Sequence, residues 1–162
     1  MAKRIATVGI TAALAIIFGY IEAILPFNFG IPGVKLGLAN IVIVVSLYRL
    51  SLPETAGISL VRILIIGMLF GNIMSLLYSV TGGVLSLLGM ALCKRLKLSV
   101  IGVSVVGGVL HNVGQLAAAV FVLQSPAVIC YYPVLLIAGL ITGFLIGFAC
   151  DRILEKIEDV HF

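Results

Sequence analysis

The stretch PFNFGIPGVKLGLAN, residues 26–40, divides two long apolar runs and decides how the chain is read. It is dense in glycine and proline, holds Asn28, Lys35 and Asn40, and contains no acid. Pro26 ends whatever helix precedes it. Pro32, with Gly30 and Gly33, prevents another helix from starting at once. On either side the sequence returns to apolar residues at a density that soluble domains do not reach.

The whole chain has that character. Of 162 residues, 62% are hydrophobic and 10% are charged, too few to give a domain of this size a charged shell. The mean hydropathy of +1.33 points to an integral membrane protein. One compact bundle fits the length.

The net charge of +4 is not a nucleic-acid signal. Lys3, Arg4, Arg49, Lys94, Arg95, Lys97, Arg152 and Lys156 stand at the ends of apolar runs, and aromatic residues do not interleave with them. Basic residues at span ends set orientation in a bilayer. Cys93, Cys130 and Cys150 form no CxxC pair and no metal-ligand spacing, so they read as small apolar fillers.

Hydrophobic runs separated by turn signals predict an all-α, six-helix transmembrane bundle, one membrane domain over residues 1–162. The spans are expected at 4–25, 36–50, 55–72, 74–93, 100–123 and 134–150. The second is short for a full crossing, which a tilted helix or one starting below the surface would explain. The N-terminal MAKR and its apolar run read as a retained first span, without the cleavage site of a signal peptide. Ser79–Gly83 and Gly107–Gly108 interrupt the fourth and fifth runs, the first as a kink or a short re-entrant piece lining an outward-opening pocket. Residues 151–162 alternate in charge and read as a cytoplasmic tail carrying a short helical extension. An even number of spans puts both termini on one side. The distribution of basic residues puts that side in the cytoplasm, in the cell membrane, with residues 26–35 outside as a loop or lid.

Polar residues in such a chain need a reason. A charge near the bilayer centre costs about 2.5–3.5 kcal/mol, so such residues face a cavity or one another. Arg62 lies near the middle of its span, about ten residues from either end. It reads either as a structural partner of Glu22 or as a base facing a polar or anionic ligand group. Thr11, Ala15, Phe18 and Glu22 share one helix face, which turns Glu22 inward. His111 and Gln115 share another face, with Asn112 beside them, and serve either as interhelical hydrogen-bonding groups or as pocket walls. Glu22, Asn28, Lys35, Asn40 and Asn72 fall toward the outer half on different elements. A water-accessible pocket opening outward would satisfy them together. A lone histidine makes a poor metal site, and neither a metal nor another cofactor is expected. Gly9 with Ala13, and Thr11 with Ala15, form small-xxx-small pairs that let another helix approach, within the bundle or from a separate membrane protein.

Four segments carry a resemblance across nearly the whole chain. They are IPGVKLGLANI after the first run, FGN at 70–72, SVTGGVLSLLGMALCKR at 79–95 and GVSVVGGVLHNVGQL at 102–116. Together they resemble the Gx transporter family, also labelled heptaprenyl diphosphate synthase component I. That family is similar to the S-components of energy-coupling-factor (ECF) vitamin importers. The resemblance implies a six-helix bundle with an outward-facing pocket. It also implies a small-residue docking face on the first helix, here Gly9, Ala13 and Ala15, toward a membrane coupling subunit and its ATPases.

Three functions follow as expectations. The first is a substrate-binding subunit for uptake of a small, vitamin- or cofactor-precursor-like molecule. The second is an accessory membrane subunit in polyprenyl diphosphate or quinone lipid metabolism. The third is an assembly subunit of a membrane complex. Catalysis by this chain is not expected. Prenyl chain elongation needs acid-rich magnesium sites, and the sequence has six acids and no DDxxD.

Overall fold

The computed structural model describes residues 2–25 and 36–158. Its elements are α1 (Ala2–Ile24), α2 (Leu38–Arg49), α3 (Leu52–Phe70), α4 (Ile73–Arg95), α5 (Val100–Leu123), a 3-10 turn (Pro126–Tyr131) and α6 (Tyr132–Glu158). No strand occurs among the described residues.

Five of the six helices are long and apolar enough to cross a membrane. The exception is α2, whose 12 residues rise about 18 Å against a hydrocarbon core of about 30 Å. Six helices are present, as expected, and the second is the short one that its apolar run indicated. Large apolar side chains cover the outside of the bundle: Ile5 is 71% exposed, Ile73 72% and Phe121 77%. Such a surface belongs against lipid, as in a multi-pass membrane protein.

The helices close into a ring in the order α1, α3, α4, α5, α6, α2 and back to α1. The tightest packing is that of α5 on its two neighbours. On α6, Gly139, Gly143 and Gly147 recur every four residues and face α5. A Cβ at Gly143 would stand 2.7 Å from Val105 Cα, and one at Gly147 would stand 2.7 Å from Ile101 Cα. On the α4 side, a Cβ at Gly114 would meet Gly82 Cα at 2.9 Å. These backbones approach closely because small residues line the contact.

That packing corrects two expectations. Ser79–Gly83 is not a re-entrant piece, because α4 runs unbroken from Ile73 to Arg95. Likewise α5 is continuous through Gly107–Gly108. Glycine weakens an isolated helix, but here its missing side chain is what the neighbouring helix occupies. Boundaries shift as well. The start of α3 is three residues early, at Leu52, because Ser51 and Glu54 form a capping box with Pro53 in the first turn. The helical extension expected in the tail is present, since α6 continues to Glu158.

One end of the ring collects the basic residues. Arg4 on α1 makes a two-pronged ion pair with Glu54 on α3, at 2.7 and 3.0 Å. Lys94 on α4 donates to the Leu47 carbonyl in the last turn of α2 and lies over the Tyr48 ring. Arg49, Asp151 and Glu155 border a small cavity of about 260 Å³ at the same end. The first and last described residues both lie on this side of the bundle.

Candidate functional site

A cavity of about 570 Å³ occupies the centre of the ring, and all six helices line it. It runs from the helix ends at Leu25, Leu36 and Gly71, opposite the basic end, down to Met90 and Ser104. The helical period explains which residues reach it. On α3, Arg62, Ile63, Ile66, Gly67 and Phe70 follow one face. On α5, the stripe is Ser104, Gly107, Gly108, His111 and Asn112. Isoleucines and Phe70 on α3 supply an apolar wall.

Five of the nine residues expected to bind substrate line this cavity: Glu22, Asn40, Arg62, His111 and Asn112. Their roles differ. Asn112 is buried and donates through Nδ2 to the Leu135 carbonyl of α6 at 2.7 Å, so it ties α5 to α6. His111 contacts Gln115 through Nε2 at 3.2 Å. Gln115 itself does not line the cavity, and faces α4 beside Gly82.

Glu22 sits on α1 at the rim. Its Oε1 accepts a hydrogen bond from the backbone N–H of Gly37, the left-handed residue that caps α2 (φ 79°). A carboxylate at a helix N-terminus satisfies an otherwise unpaired donor and complements the helix dipole. No ion pair within 4.0 Å joins Glu22 to Arg62 among the described residues. The Arg62 Nε is buried and has no hydrogen-bond partner among the described residues.

Asn72 does not line the cavity. It caps α4, its Oδ1 accepting from the Ser75 N–H at 2.8 Å while Ser75 Oγ accepts from the Asn72 N–H at 2.9 Å. Asn28, Lys35 and the lid expected over residues 26–35 lie outside the described residues. Of the expected docking face, Gly9 and Ala13 are on the outside of the bundle, but Ala15 is fully buried in the core with Ile43 and Leu47. Ala15 therefore serves internal packing and is not available to a partner.

The sequence reading brought the Ser79–Gly83 segment to the pocket but singled out none of the hydroxyls that line it. Ser75, Ser79 and Ser86 on α4, Ser104 on α5 and Thr142 on α6 all line the cavity. Their signal was spacing: Ser75, Ser79 and Ser86 fall four and seven residues apart, on one helix face. A small polar stripe inside an apolar helix marks the side that faces a cavity.

A family model described as heptaprenyl diphosphate synthase component I matches residues 11–153. The chain belongs to that family. The matched region takes in every cavity-lining residue and all six helices, leaving out only the first turns of α1 and the last residues of α6. No curated protein and no solved structure matches the chain.

Proposed function

We propose that the chain is a substrate-binding membrane subunit, like an S-component, that captures a small molecule for uptake. The observation that carries this reading is the central cavity. Its volume falls within the roughly 300–1,000 Å³ usual for ligand sites. Polar groups from several helices converge on it, within a bundle whose outside is apolar. A packed structural bundle has no need of such a space, and an empty one weakens it.

The orientation belongs to the same proposal. Eight of the ten basic residues fall at one end or on the helix ends next to it. The positive-inside rule makes that end cytoplasmic, together with both termini, and makes the cavity's far end extracellular. Capture then occurs from outside. The chain carries no nucleotide motif, so energy for release inward would come from partner ATPases and a membrane coupling subunit. On this reading the chain is a binding subunit and not an enzyme.

The family's description and the apolar wall of Ile63, Ile66 and Phe70 favour a second reading. In it the cavity holds the end of a prenyl or quinone-like lipid, and the chain is an accessory subunit in polyprenyl diphosphate metabolism. Native mass spectrometry of protein released from mild detergent separates the two. A retained water-soluble molecule supports uptake. A retained prenyl lipid supports the accessory role. Protein free of any small molecule, copurifying tightly with other membrane subunits, would count against both and favour an assembly role.

A further inference from the structure

We infer that the Arg62 guanidinium anchors an anionic oxygen group, a carboxylate or a phosphate, on the molecule that the cavity takes. The inference rests on the cavity being a ligand site and names the chemistry of that ligand. Arg62 stands midway along α3, with its stem against α1 near Gly19. Its guanidinium makes no hydrogen bond and no ion pair with any described residue, and its Nε is buried. The nearest candidate partner, Glu22, is held on the N–H of Gly37.

An arginine keeps its charge in proteins and offers five N–H donors in a planar fork. Left without a partner in an apolar bundle, that charge is unfavourable. A neutral carbonyl could accept a hydrogen bond but would leave the charge uncompensated. A carboxylate or phosphate matches both the fork and the charge. The rest of the ligand has suitable surroundings. The Asn40 side chain and the Ser104 hydroxyl line the cavity without side-chain hydrogen bonds to any described residue, and Ile63, Ile66 and Phe70 form an apolar wall. A water-soluble carboxylate and a prenyl phosphate share this chemistry.

The test uses full-length protein in mild detergent and two matched pairs of probes, benzoate with benzamide and geranyl phosphate with geraniol. Binding is read from the concentration dependence of thermal unfolding. An anionic probe should bind at least about 10-fold more tightly than its neutral partner. Arg62→Gln should weaken the anion about 10–100-fold and leave the neutral probe unchanged, with Arg62→Lys between them. Arg62→Gln should also raise the unfolding temperature of ligand-free protein, whereas removing a structural ion pair would lower it. Preference for benzoate assigns a water-soluble source, and preference for geranyl phosphate alone assigns a lipid. Equal binding of anion and neutral partner in the wild type overturns the inference, whether or not the variants fold. So does an anion affinity that Arg62→Gln leaves within twofold while the cavity-filling Ser79→Phe abolishes it. In that case the cavity remains a ligand site and only the role of Arg62 falls. Failure of every probe, with no small molecule retained, overturns both.

Discussion

The Glu22 carboxylate on α1 accepts the backbone N–H of Gly37, where α2 begins. This contact decides what the two charges at the cavity do. Glu22 organises the junction of α1 with α2, and Arg62 is left facing the cavity without a hydrogen-bond or ion-pair partner among the described residues. The structural ion pair that the sequence allowed is replaced by a division of labour.

Disturbing this junction should destabilise the bundle. Glu22→Ala removes an anion at a helix N-terminus, an effect of about 1 kcal/mol. Gly37→Ala should cost about 1–2 kcal/mol from the left-handed backbone alone. Its Cβ would also stand 2.6 Å from Ile146 Cδ1. Thermal unfolding in detergent should show a lowered midpoint for both, with Gly37→Ala the lower. An unchanged midpoint for Gly37→Ala would mean that α2 does not start as described.

Two glycines should behave in opposite ways. Gly147→Ala forces α6 away from Ile101 and should cost about 1–3 kcal/mol by overpacking. Gly9 has open space around it, so Gly9→Ala should be neutral or stabilising by up to about 1 kcal/mol. The same unfolding assay checks both. Loss of a copurifying membrane partner in Gly9→Leu, with stability kept, would assign the exposed part of α1 to docking.

Asn72→Ala should cost about 1 kcal/mol as a lost helix cap. Because Asn72 caps α4 and does not line the cavity, ligand affinity should stay within about twofold, well under the tenfold that 1.4 kcal/mol would give. A larger loss of affinity would return Asn72 to the binding site.

Native cysteines report the orientation. Cys130 is exposed in the turn before α6, at the end opposite the basic residues, and Cys93 lies beside Lys94. A membrane-impermeant maleimide should label Cys130 in intact cells and reach Cys93 only after permeabilisation. Buried Cys150 should stay unlabelled until the protein unfolds. The reverse pattern would invert the topology.

Much of this architecture was legible because lipid imposes simple demands. Apolar length located the helices, and basic residues marked one end. The cost of a mid-span charge singled out Arg62, which does line the cavity. What misled was local propensity. Gly82, Gly107 and Gly108 read as interruptions, yet each fits against a neighbouring helix that the linear sequence does not reveal. Asn72 read as a pocket group, although Asn72 and Ser75 three residues on are a capping signature. Gly9 and Ala15 looked alike as small residues, but the ring leaves Gly9 outside and puts Ala15, on the face it shares with Glu22, in the core. Ser86 and Ser104 escaped notice because single serines are common in apolar helices. Only their shared facing toward one space gives them significance.

The central claim is that the cavity holds a small molecule. It is tested most directly by native mass spectrometry of the wild type beside Ser79→Phe, a substitution on the cavity wall of α4. The account predicts a small-molecule adduct on the wild type that is lost in the variant while the variant remains folded. An adduct of the same mass and occupancy on both proteins would place the ligand elsewhere and contradict the account.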